Sequence, residues 1–281
     1  MNGNVYDLAP RASIELDPYP HLVIENVLPE ADYNALEESF PSVEYIAKGE
    51  EIVNNRTYLA NSDRVLADPD TPEPWRAFFA AHTQRSLFES AMALWRTEIE
   101  RLHPGLEANF GKRLDQFEVA RRSGKGDSEA NRRADIMLEC QFGVNSPVTV
   151  ESSTRGPHVD SGAKLFSSLL YFRSDDDDST GGEYELSRLR GGPFPRSKMK
   201  NIPARYLESV KRIPYRRNTF LAWLNTPESI HGVAPRSITS IPRRYVAISG
   251  ECFGGARPSD FFSYFEQWDR PLQRLRAKLK L

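Results

Sequence analysis

Cysteine is scarce in this 281-residue chain, and long apolar runs are missing from it. The two cysteines, Cys140 and Cys252, lie far apart, which excludes a disulfide framework and any CxxC-type zinc spacing. Two reduced, buried thiols are expected. No apolar run approaches the roughly 20 residues needed to cross a bilayer. The start, Met1 to Asp7, has neither a basic nor an apolar leader region. A cytoplasmic protein without membrane contact is therefore expected. Neither sign of charge dominates: the net charge is -2, and nothing in it calls for a nucleic-acid partner. Histidine is rare as well, with five in all, so few imidazoles are available for chemistry.

What is present divides into two textures, read as one domain over 1–281. Residues 1–135 read as a helix-rich support. His21 to Ile24 suggests a short strand. Tyr33, Leu36 and Phe40 recur at helical spacing behind Pro29. From Pro74 to Leu102, large apolar residues recur at three and four, which predicts one long helix ended by Pro104-Gly105. Arg121 to Arg133 is polar and unpatterned, and reads as a loop.

Residues 136–255 read instead as short strands between turns. The expected strands are 137–142, 148–152, 157–160, 166–172, 183–186, 210–215, 219–224, 230–234 and 245–249. That spacing predicts a mainly β core, a jelly roll or double-stranded β-helix, flanked by N-terminal α-helices and α+β overall. A C-terminal helix is expected over 256–281. The acidic run Asp175 to Asp178 reads as a solvated turn, since neither the spacing nor the flanking helices of an EF-hand are present.

The chemistry concentrates in Pro157-His158-Val159-Asp160 and His231-Gly232-Val233. Alternate residues of a strand share a face, so a strand here would set His158 beside Asp160. Two imidazoles and one carboxylate suit a non-haem Fe(II) ion and leave positions open for other ligands. His21, His82 and His103 sit in apolar or helical surroundings and are expected to be structural.

A His-x-Asp triplet alone is common, and its context adds weight. An apolar strand with Tyr171 follows it, then Gly181-Gly182-Glu183, the strand Phe220 to Asn225, His231, and Arg244-Tyr245. In this order the chain resembles the 2-oxoglutarate- and Fe(II)-dependent dioxygenases, in their prolyl-4-hydroxylase-like branch. The resemblance covers about 137–252, with a similar entry segment at Tyr19 to Leu28. It implies that His158, Asp160 and His231 are iron ligands, and that Arg244, with Tyr171, holds the far carboxylate of 2-oxoglutarate. A bidentate guanidinium suits that task. Gln141 or Asn225 would support the co-substrate's other end. The interval from His231 to Arg244 is about four residues longer than is usual in the branch, which leaves Arg243 and Arg236 as alternatives. The implied cofactors are Fe(II), 2-oxoglutarate and O2, and the implied products include succinate and CO2. A carboxylate at Asp160, where halogenating members carry Gly or Ala, favours hydroxylation or a related oxidation.

The substrate is less legible. Residues 188–217 hold ten Lys or Arg against one acid, Glu208. One reading is a mobile lid, with Arg196, Lys198 and Lys200 attracting an anionic small molecule. The other is a solvated surface that balances an acidic remainder. Arg155 is either a substrate contact or a strand-edge charge. Alternatives to a small-molecule oxygenase are a prolyl or other protein hydroxylase and a cupin-type metal protein that is no oxygenase.

Overall fold

The computed structural model describes residues 3–123, 133–191 and 202–253. Strand β1 (His21–Glu25) is followed by α1 (Glu30–Glu38), α2 (Val43–Ala47), β2 (Thr57–Asn61), α3 (Ser62–Ala67), α4 (Glu73–Ala81), α5 (Arg85–Leu102) and α6 (Leu106–Phe110). Then come β3 (Val119–Arg121), β4 (Ile136–Asn145), β5 (Lys164–Tyr171), β6 (Tyr184–Leu189), β7 (Leu207–Ile213), β8 (Thr219–Leu224), β9 (Ile230–Val233) and β10 (Arg243–Cys252).

The strands form two sheets. The larger runs β1-β8-β5-β10-β4-β2, with β3 added parallel to β4; the smaller runs β7-β6-β9. This is a jelly-roll-like β core with helices outside it. Alternation along each strand makes three layers. Phe142, Val144, Leu170, Phe172, Phe220, Ala222, Val246 and Ile248 point to one side of the large sheet, where Tyr33, Trp75, Phe79 and Trp95 of the helices pack on them. On the opposite side, Leu221 and Trp223 meet Tyr184, Leu186 and Ile213 of the small sheet. The functional cavity opens on that second face.

Several boundaries depart from the sequence expectation. The long helix is two, broken at His82 to Gln84. His82 caps α4, and its ring stacks on Phe78 at 3.9 Å between centroids. Its Nδ1 lies 2.7 Å from the Phe78 carbonyl, while its Nε2 accepts from the Val5 amide at 3.0 Å. Both ring nitrogens are thus committed, which fixes the chain direction at the break.

Segments 148–152 and 157–160 are not strands. They make isolated bridges instead, Val148 to Thr239, Ser152 to Arg236 and His158 to His231. Strands β2 and β3 went unforeseen, because each is short and half-exposed.

The acidic turn is only partly solvated. Asp177 is buried and pairs with the buried Arg236 at 2.9 Å and with Arg173 at 3.3 Å. Ser179 accepts from Arg236 Nε at 2.8 Å. Cys140 and Cys252 are both buried and not disulfide-bonded. The expected helix over 256–281 and the residues Arg196, Lys198 and Lys200 lie outside the described residues.

Candidate metal and co-substrate site

His158, Asp160 and His231 come together with ligand atoms all within 4.8 Å of one another, a grouping that could hold a metal ion. Asp160 Oδ1 is 3.6 Å from His158 Nε2 and 3.9 Å from His231 Nε2. The backbone that does this is a single bridge: His158 N to His231 O at 2.8 Å, and His231 N to His158 O at 2.9 Å. Gly232 allows the close approach beside it, since a Cβ there would sit 3.0 Å from the Pro157 nitrogen.

The tautomers follow from the hydrogen bonds. His158 Nδ1 lies 2.9 Å from the Gly156 carbonyl, and His231 Nδ1 lies 2.9 Å from the Ser229 carbonyl. A carbonyl only accepts, so each Nδ1 carries the proton and each Nε2 turns a lone pair toward Asp160. Burial drives the His231 pKa down to about 3 despite the nearby carboxylate. A neutral imidazole is the form that ligates. Burial opposes ionisation of Asp160, but the Lys164 ammonium beside it holds its carboxyl well below the usual range.

A donor chain positions the second oxygen of Asp160. Trp223 Nε1 donates to Asn225 Oδ1 at 3.1 Å, and Asn225 Nδ2 donates to Ser167 Oγ at 2.9 Å. Ser167 then lies 3.2 Å from Asp160 Oδ2, and Lys164 Nζ lies 3.3 Å from the same oxygen. Oδ1 is left to face the imidazoles. His231 is further confined by Tyr184, stacked at 5.2 Å and 15°, and by Trp223 at 5.1 Å.

These residues line a cavity of about 430 Å³ that extends over the face of β4 and β10. Gln141, Asn145, Arg155, Lys164, Tyr184, Arg243 and Tyr245 line it as well. Asn225 stands behind Trp223, buried and in the donor chain.

Arg244 is not in the cavity. Its Nε donates to the Phe172 carbonyl at 2.9 Å, its Nη2 pairs with Glu37 at 2.9 Å, and its guanidinium lies over Phe40. Arg243, opposite Asn145, lies on the other face of β10, with Tyr245 and Ala247. Val246 and Ile248 mark the apolar helix-facing side to which Arg244 belongs. Arg236, the other alternative, is held by Asp177 and Ser179.

Arg243 has an unusual environment. It is 2% exposed, and its guanidinium sits 4.7, 4.8 and 5.3 Å from the ring centres of Tyr171, Tyr215 and Tyr245. Its one side-chain hydrogen bond is a long one, 3.4 Å to Asn145 Oδ1. Its Nε and Nη2, with the hydroxyls of Tyr171 and Tyr184, are buried polar atoms without a hydrogen-bond partner among the described residues. Burial raises the Tyr171 pKa and Arg243 opposes the rise, so the phenol stays protonated and able to donate. Lys164, Ser167 and Tyr184 were not among the residues singled out from the sequence, where Arg243 stood only as an alternative to Arg244. Of these, Ser167 and Tyr184 had no signal in the sequence beyond strand alternation.

No protein-family model and no curated protein matches the chain. Among solved structures, it is similar to a prolyl-4-hydroxylase from Pseudomonas putida (13% identity, 86% of this chain and 98% of that one, TM-score 0.45). It is also similar to a prolyl 4-hydroxylase from Phytophthora capsici (14%, 98% and 77%, 0.46). A third is the non-heme alpha ketoglutarate dependent epimerase SnoN of nogalamycin biosynthesis (12%, 83% and 76%, 0.45).

Proposed function

We propose that the protein is an Fe(II)- and 2-oxoglutarate-dependent dioxygenase that oxidises a C–H bond of a small molecule. The observation that carries this reading is the buried Arg243 guanidinium, two of whose nitrogens have no hydrogen-bond partner among the described residues, beside a Tyr171 hydroxyl that has none among them either. A buried charge without a counter-charge costs several kcal/mol. A carboxylate end placed there would accept from both residues and supply the missing negative charge. The iron ligands in this reading are His158, Asp160 and His231, a two-imidazole, one-carboxylate set suited to non-haem iron.

The residues fit both groups. When bound, iron and 2-oxoglutarate would supply the oxidising chemistry with dioxygen, releasing succinate and CO2 and placing oxygen on the substrate. The chain's own contribution is positioning. Both Nδ1–H groups are tied to backbone carbonyls, so the imidazoles need no reorientation to ligate. Ser167 and Lys164 hold Asp160 so that one oxygen is presented. Arg243 and Tyr171 fix the co-substrate's depth in the cavity. Tyr184 and Trp223 wall the His231 side and exclude water.

Assigning the far carboxylate to Arg243 replaces Arg244 in that role; Gln141 lines the cavity near the co-substrate's path. A cavity of about 430 Å³ lies within the roughly 300–1,000 Å³ of small-ligand sites, which is compatible with a small-molecule substrate. The test is succinate formation from 2-oxoglutarate with Fe(II) in air. Wild-type protein should release it slowly even without substrate, and Asp160→Ala should not. Equal release by both proteins would refute the assignment.

A further inference from the structure

Four cationic residues line the cavity, Arg56, Arg155, Lys164 and Arg243, and Asp160 is the sole acid among the described residues that line it. Their counter-charges differ. Arg56 pairs with Glu50 at 2.8 Å. Lys164 pairs with Asp160 at 3.3 Å. Arg243 faces the place given above to the far carboxylate of the co-substrate. Arg155 has no ion pair with any described residue.

Charge balance in the loaded site sharpens the difference. A divalent cation would be neutralised by Asp160 together with the keto-acid carboxylate. Lys164 would then share Asp160, its only ion-pair partner among the described residues, with that dication, and would be left with Arg155 as an uncompensated pair of positive charges. Like charges gathered at a low-dielectric mouth focus an attractive field on an incoming anion.

The placement of Arg155 suits this. It lies three residues before His158, and its carbonyl accepts from the Val233 amide at 3.0 Å, two residues beyond His231. Its backbone is thereby tied to both imidazole-bearing segments, while its side chain is exposed at the cavity wall. Its positive charge is felt at Tyr184 and Tyr245, which line the same cavity.

We infer that the substrate carries a carboxylate or phosphate group, which Arg155 receives at the cavity mouth with Lys164 beside it. The inference rests on the dioxygenase reading, since it is the bound metal and co-substrate that leave these two cations unbalanced. A guanidinium fork accepts either anion bidentately and orients it, so the carbon to be oxidised is held at a set distance from the metal.

The experiment uses the full chain with Mn(II) in the metal site and saturating 2-oxoglutarate. Inorganic phosphate, acetate and neutral acetamide serve as probes, and paramagnetic relaxation of their nuclei by Mn(II) reports binding near the metal. Phosphate or acetate should show an enhancement that acetamide lacks, and whichever responds identifies the preferred anion. Arg155→Gln should weaken the apparent affinity about tenfold, and Arg155→Lys should keep part of it. Rising salt should weaken wild type more steeply than Arg155→Gln. Enhancement equal in wild type and Arg155→Gln would mean direct coordination to the metal, and would overturn the inference. So would the absence of enhancement for both anions. Calorimetric titration of 2-oxoglutarate runs in parallel: if it fails to bind, the dioxygenase reading fails, whereas binding with no anion response defeats the substrate assignment alone.

Discussion

Arg243 on β10 and Tyr171 on β5 face each other inside the β core, the guanidinium 4.7 Å from the phenol ring centre, and among the described residues Arg243 Nε and Nη2 and the Tyr171 hydroxyl have no hydrogen-bond partner. Its neighbour Arg244 is fully engaged with Glu37 and the Phe172 carbonyl on the other side of the same sheet. Exchanging each arginine for methionine therefore separates the two faces. Arg243→Met should weaken 2-oxoglutarate binding by about 100-fold, the effect of losing a charge-assisted pair of roughly 3 kcal/mol. Arg244→Met should leave that affinity within about twofold and lower the melting temperature instead. Calorimetric titration of both variants decides it, and the reverse pattern would return the role to Arg244.

The candidate metal ligands were legible because their chemistry is rare in this chain: five histidines, with one His-x-Asp. The β core was legible from its turn spacing, and seven of the nine expected strands have counterparts. Two others failed because sequence alternation cannot distinguish a strand from an extended segment with one bridge. His158 and Asp160 still converge, through the bridge to His231 and not through a strand face. The facing of Arg243 was hidden for a different reason. It depends on the register of β10 against β4 and β5, and one residue of slip exchanges the two faces. In the basic run over 188–217, Arg188, Lys211, Arg212, Arg216 and Arg217 each pair with an acid and none lines the cavity, in keeping with the solvated-surface reading for those five, whereas Arg196, Lys198 and Lys200 lie outside the described residues.

Asp160 depends on Ser167 for its orientation. Ser167→Ala removes the hydroxyl that meets Oδ2 and leaves the Asn225 amide without its acceptor. Metal affinity should fall about tenfold, as is usual when a ligand loses its hydrogen-bond support. Competition with a chromogenic chelator measures it. Unchanged affinity would show that Lys164 alone suffices.

Gly143 makes room for Tyr245. A Cβ at 143 would meet the tyrosine ring at 2.1 Å, well inside contact distance. Gly143→Ala should push that ring toward the cavity, at an overpacking cost of about 1–3 kcal/mol. Gly143→Ala combined with Tyr245→Leu should recover most of the loss. Denaturant titration of the three variants checks the coupling.

Acid should destabilise the fold through His82 and His103. Burial holds both pKa values down at about 4, below the usual 6.5. The unfolded chain therefore binds more protons between these limits. Stability is full above about pH 6.5 and declines as pH falls toward 4, by roughly 3 kcal/mol per histidine. Protonation would also place a hydrogen on His82 Nε2, which accepts from Val5. His82→Gln should be less stable at pH 7.5 but show a shallower decline in acid. Unfolding curves at pH 7.5, 6 and 5 give both quantities.

The central claim is that iron at His158, Asp160 and His231 and 2-oxoglutarate at Arg243 occupy one cavity together. The most direct measurement is anaerobic addition of Fe(II) and then 2-oxoglutarate to the full chain, read by visible absorption. A weak charge-transfer band should develop at one equivalent of each, vanish in His231→Ala, and in Arg243→Met require about 100-fold more 2-oxoglutarate. A wild-type protein that binds Fe(II) yet shows no band at any 2-oxoglutarate concentration would contradict the account.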